Sequence, residues 1–133
     1  MSLDQHKRGR MHITRKSNLP DLIVNPHGED VQEMLGVQAG GITSHSLARV
    51  TIASGKSSLP HFHQESDESY LILSGKAEMV IDAQHFELSR GEAVLIEPKE
   101  VHQIFNPGQE DLVFLAVCVP AWRPDDSYEA EVD

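Results

Sequence analysis

From Ser44 onward the chain alternates short apolar runs with turn residues about every ten positions. The runs are Leu47–Ala53, Ser69–Leu73, Ala77–Ile81, Phe86–Leu88, Ala93–Ile96, Val101–Phe105 and Leu112–Val119. Between them stand Ser54-Gly55, Ser74-Gly75, Asp82-Ala83, Arg90-Gly91, Glu97-Pro98 and Asn106-Pro107-Gly108. Glycine and asparagine tolerate positive φ and proline presets a turn dihedral, so these are chain reversals with a mechanism. Many short β-prone runs at this spacing predict an all-β sandwich or barrel. Only Asp30–Gly36 departs from the pattern. Its Val31, Met34 and Leu35 recur at helical spacing, which predicts one or two turns of helix or else an edge strand. No internal repeat is present, and 133 residues suffice for one core rather than two.

Composition narrows the class without naming it. Apolar residues make up 39% of the chain and charged residues 24%, as expected of a folded soluble domain. The longest apolar run, Leu112–Val119, has eight residues, whereas a membrane-spanning helix needs about 20; it predicts a buried strand. Residues 1–20 are polar and basic with no apolar leader core, and the lone Cys118 excludes an intramolecular disulfide, so a cytoplasmic protein is expected. The net charge of −10 is unevenly spread, since residues 1–16 set Lys7, Arg8, Arg10, Arg15 and Lys16 against Asp4 alone. No aromatics are interleaved with this basic head, and the acidic remainder repels phosphate-rich polymers, so no nucleic-acid partner and no membrane are expected. The expected division is a basic arm (1–18), a segment covering a barrel edge or a dimer contact (19–43), the barrel (44–122) and an acidic tail (123–133).

Candidate chemistry lies with three of the eight histidines and one carboxylate. His61 and His63 form an HxH pair, which a strand points to one face. The turn Gln64-Glu65-Ser66-Asp67 leads to Glu68, which an antiparallel hairpin can bring back beside the pair. His102 lies on a later strand and shares a face with Ile104 and Asn106. Three imidazoles and a carboxylate form a borderline ligand set suited to Mn, Fe, Ni, Cu or Zn. Tyr70, on the Glu68 face, is a candidate pocket residue. Arg49, within an apolar run, is another: it either reaches a substrate anion or faces solvent. Gln103 points away from His102 and is expected to be structural. His6, His12, His27, His45 and His85 fit no ligand pattern and are expected on the surface or in loops.

The framing of these residues resembles the cupin superfamily. Gly55-x5-His61-x-His63-x4-Glu68-x6-Gly75 matches its first signature motif at every position. Gly91-x5-Glu97-x-Lys99-x2-His102-x3-Asn106 follows after a 15-residue gap and matches the second, with Glu97 in place of the usual proline and Lys99 in place of the usual glycine. The resemblance covers about residues 44–119 and implies a double-stranded β-helix, or jelly-roll barrel. It further implies one divalent metal ion, Mn or Fe foremost, on His61, His63, Glu68 and His102, and a homodimer in which an N-terminal segment covers a strand edge. The fold cannot name a reaction. The favoured expectation is an enzyme that ligates a small oxygenated metabolite and oxygenates, decarboxylates or isomerises it. The alternative is a binding or sensor module without catalysis.

Overall fold

The computed structural model describes residues 11–131. His6 and most of the basic arm lie outside them. Among the described residues eleven strands form two antiparallel sheets: β1 (Ile23–Val24), β2 (Glu29–Leu35), β3 (Ser46–Ile52), β4 (His61–His63), β5 (Asp67–Ser74), β6 (Lys76–Ile81), β7 (Gln84–Ser89), β8 (Ala93–Ile96), β9 (His102–Phe105), β10 (Leu112–Val119) and β11 (Ser127–Glu129). One sheet runs β1-β2-β3-β10-β5-β8 and the other β11-β4-β9-β6-β7. This is the two-sheet, double-stranded β-helix arrangement that the sequence implies. Among the described residues no helix is long and apolar enough to cross a membrane.

Period-two alternation explains which residues meet between the sheets. In β5 the buried set is Glu68, Tyr70 and Ile72; in β10 it is Leu112, Phe114, Ala116 and Cys118. Ile52, Ile72, Ile104 and Leu112 are at most 1% exposed, and each such side chain contributes about 1.5–3 kcal/mol of burial free energy. Asn106 staples two loops to this core: its side-chain amide donates to Ile52 O and Glu110 O at 2.8 and 2.7 Å.

The turns carry their own constraints. Gly75, between β5 and β6, has φ +86°, and a Cβ there would lie 2.9 Å from the Asp111 carbonyl oxygen. Glycine alone fits. Lys99 adopts φ +72°, the left-handed conformation, with its N–H donating to His63 O. The backbone there keeps the geometry that glycine usually serves, although the residue is lysine.

The structure decides between two readings, corrects one expectation and adds one element. Of the two readings of Asp30–Gly36 the strand holds over its first six residues, though not at an edge: β2 pairs with β1 on one side and β3 on the other, and this ladder overrides a weak helical spacing. Residues 19–43 thereby cover the edge of β3 in their own chain. β4 and β5 do not form a hairpin, since they lie in different sheets and residues 64–66 carry the chain across. The described part of the acidic tail is built into the fold: a 3-10 turn, Pro124–Asp126, leads into β11, which pairs with β4 through Ser127↔His63 and Glu129↔His61.

Candidate metal centre

β4 turns His61 and His63 to the interior, and β9 places His102 directly opposite His61 in the same sheet. Glu68 reaches toward them from β5 of the facing sheet. The four side chains offer ligand atoms that all lie within 4.8 Å of one another. His63, Glu68 and His102 are buried, and His61 is partly open.

Backbone carbonyls orient all three imidazoles. His61 Nδ1 donates to Leu59 O at 2.8 Å, His102 Nδ1 to Glu100 O at 3.0 Å and His63 Nδ1 to Asp126 O at 3.3 Å. A carbonyl can only accept, so each ring carries its proton on Nδ1 and turns Nε2 to the cluster. His63 Nε2 lies 3.1 Å from Glu68 Oε1 and His102 Nε2 lies 3.2 Å from the same oxygen. The His102 contact is badly directed, leaving Nε2 a buried nitrogen with no hydrogen-bond partner. A buried orphan of this kind costs free energy unless something else engages it. On the remaining Glu68 oxygen, Cys118 Sγ donates at 3.3 Å.

The electrostatics point the same way. Burial, then the neighbouring His102, push the His61 pKa down to about 4, so this ring is neutral at pH 7. Burial also pulls His63 down, but the hydrogen bond and charge of Glu68 outweigh it and the net shift is upward. Burial would raise Glu68, yet the adjacent His102 and His63 imidazoles hold it well below the usual carboxylate range. Without a metal, His63 donates from both nitrogens and is then an imidazolium. A positive charge therefore belongs between His63 and Glu68, and three Nε2 atoms with one carboxylate fit a divalent cation there. Tyr70 and Cys118 are pushed upward, burial first and the Glu68 charge second, so both stay protonated.

His61, His63 and Glu68 open onto a cavity of about 280 Å³, with His102 behind them. Val50, Phe114, Ala116 and Trp122 give it apolar walls. Tyr70 lines it too, its ring packed 4.6 Å from that of Phe114. Arg49, the other expected pocket residue, is on the opposite, solvent-facing side of β3, where Ser46, Ala48 and Val50 take the inward positions. Gln103 is structural as expected, donating to Ser58 O at 2.9 Å. His27 lies in a loop as expected, between β1 and β2, and that loop folds onto the cavity wall.

Asp126 is the residue that sequence reasoning missed. It is 3% exposed, and its carboxylate accepts from the backbone N–H groups of Gln64, Glu65 and Ser66 at 3.1, 3.0 and 3.2 Å. The turn between His63 and Glu68 is thus wrapped around one carboxylate, an anion nest filled by the protein itself. In the sequence it stands beside Asp125, which is 80% exposed in its side chain, and no local signal separates the two.

Comparison with known proteins agrees with this architecture. The family model of the cupin domain matches residues 48–118. An uncharacterized protein of Methanocaldococcus jannaschii is 31% identical over 104 residues, covering 78% of this chain and 83% of that one. The oxalate-binding protein of Thermotoga maritima is 28% identical over 118 residues, covering 85% and 98%. The crystal structure of a predicted oxalate decarboxylase from Thermotoga maritima superposes with a TM-score of 0.69 at 27% identity, covering 81% of this chain and 98% of that one. With more than half of its length matched and its two sheets in the double-stranded β-helix arrangement, this chain belongs to the cupin family.

Proposed function

We propose that the protein is a divalent-metal-dependent cupin enzyme acting on a small oxygenated metabolite that binds in bidentate fashion. The observation that carries this is the openness of the cluster on one side: His61, His63 and Glu68 face a cavity, whereas purely structural metal sites are closed by protein ligands. His61, His63, Glu68 and His102 would hold a divalent ion and leave its cavity side open to a substrate. Bound there, a divalent ion supplies Lewis-acid polarisation of the ligand's oxygens.

The chain's own residues do the rest. His61, His63, Glu68 and His102 would hold the ion, and the carbonyls of Leu59, Asp126 and Glu100 fix the three rings. Tyr70, kept protonated, presents a hydroxyl donor beside Glu68. The apolar walls exclude water around the reacting group, which strengthens every polar contact inside. Two similarities support a carboxylate ligand: one relative is an oxalate-binding protein and one solved structure a predicted oxalate decarboxylase. The first of these also favours a second reading, capture of such a ligand without turnover.

The test begins with metal content. Elemental analysis should show His61→Ala and His63→Ala losing most bound metal and His85→Ala keeping it; equal content in all three refutes the site. Metal-loaded protein is then titrated with oxalate and assayed for its consumption under air and under nitrogen. Binding with consumption supports the enzyme, binding without consumption the capture reading, and absence of binding refutes an oxalate-type ligand.

A further inference from the structure

The cavity has polar groups besides the metal cluster, and several come from outside the span that the family model matches. β2 turns Glu29, Val31 and Glu33 inward, in register with Ile52, Val50 and Ala48 of β3. These carboxylates are not equivalent. Glu33 is engaged by the fold, since its Oε2 accepts from the Gln38 and Ala39 backbones at 2.9 and 3.1 Å. Glu68 belongs to the metal cluster, and Glu129 is exposed at the rim. Glu29 is the exception. Its side chain is 22% exposed, and the one side-chain partner the structure gives it is His27 Nε2 at a long 3.4 Å. The Glu68 charge also raises its pKa.

Among the described residues, no lysine or arginine lines this cavity. An anionic end of a ligand would find its counter-charge only at the metal. A second anionic group beyond that chelating end would instead meet Glu29 with no cation to pair it, and desolvation in a small cavity sharpens such repulsion. A hydroxyl or ammonium at that end would donate to Glu29 and meet the need for a partner on both sides. The volume of about 280 Å³ corresponds to about nine waters, so a molecule of a few carbons fills it.

We propose that Glu29 is a specificity-determining residue that accepts a hydrogen bond from the far end of the ligand, so that the site selects small hydroxy acids ending in a hydroxyl or ammonium group over those ending in a second carboxylate or a phosphate. This rests on the metal-chelation reading above and names its substrate class. Burial raises the Glu29 pKa while His27 pulls it down, as suits a carboxylate that still lacks a good partner.

Manganese-loaded protein is titrated calorimetrically with four acids sharing one chelating end: glycolate, glycerate, isoserine and malate. Glycerate and isoserine should bind at least tenfold more tightly than malate. Glu29→Gln should bring the three within threefold while metal content and glycolate affinity stay unchanged, and Glu29→Lys should reverse the order in favour of malate. Malate binding as tightly as glycerate in the parent protein, or a preference that survives Glu29→Gln, overturns the assignment. Failure of glycolate and oxalate themselves to bind refutes metal chelation and this inference with it, whereas glycolate binding without any far-end preference refutes this inference alone.

Discussion

Replacing Asp126 by alanine removes one carboxylate and strands three backbone donors at once. The N–H groups of Gln64 and Glu65 belong to exposed residues and can recover water, whereas Ser66 is buried, at 2% exposure. Two bonds replaced by water cost about 1 kcal/mol each, and a buried donor left unpaired after losing a charged acceptor costs about 2 kcal/mol more. The sum is about 4 kcal/mol, which for a domain of this length lowers Tm by about 15 °C. Because the freed turn joins His63 to Glu68, metal affinity should fall by about 10–100-fold, as when a partner that orients a ligand is lost. Asp125→Ala is the control: it removes only the exposed Arg123–Asp125 pair, which solvent screens, so stability should barely change. Thermal melts of chelator-treated protein and metal titrations of the two variants decide the matter. A loss under 1 kcal/mol with unchanged metal affinity, or equal effects at both positions, would falsify the assignment of Asp126 as the anchor of this turn.

Two further outcomes follow from the backbone and from the titrating groups. Lys99→Gly relieves a left-handed residue at φ +72°, a gain of about 1–2 kcal/mol set against about 0.4–1 kcal/mol of added unfolded-state freedom; Tm should rise by a few degrees, and a clear fall would show that the turn does not strain lysine. Metal-free protein should lose stability as pH falls from about 6.5 to about 4, because unfolded His61 takes up a proton there and folded His61, with its pKa pushed down to about 4, does not. After discounting for its partial exposure, about 2 kcal/mol is at stake. Glu68 acts in the same sense, being depressed, with stability present above the unfolded carboxylate pKa and lost in acid, whereas the raised His63 acts oppositely. Denaturant melts across this range check the sign: His61→Gln should flatten the dependence, and an unchanged slope would rule His61 out as its source.

Local pattern determined a great deal of this protein. Seven apolar runs became β3 and β5–β10 because alternation marks residues that can be half-buried, and their glycine and proline punctuation marks where the chain must turn. The spacing of His61, His63, Glu68 and His102 singled out the cluster that the fold brings together. What alternation cannot state is which parity faces inward, or which strand pairs with which. Around Arg49 one parity carries Ala48, Val50 and Ile52 and the other Leu47, Arg49 and Thr51, and docking of β3 between β2 and β10 fixes the first inward and Arg49 outward. The same limit applies to β4 and β5, whose short link suggests a hairpin but spans two sheets, a choice made by β9 and β11 pairing with β4 and by β10 pairing with β5. Asp125 and Asp126 are alike in sequence, and a contact more than sixty residues away in the chain makes one a solvated charge and the other the anchor of the metal turn. Glu29 likewise becomes a cavity residue only because β2 adds to the edge of β3. Side-chain chemistry is local and can be read from the sequence, whereas burial and charge environment arise from long-range pairing, which only the assembled sheets fix.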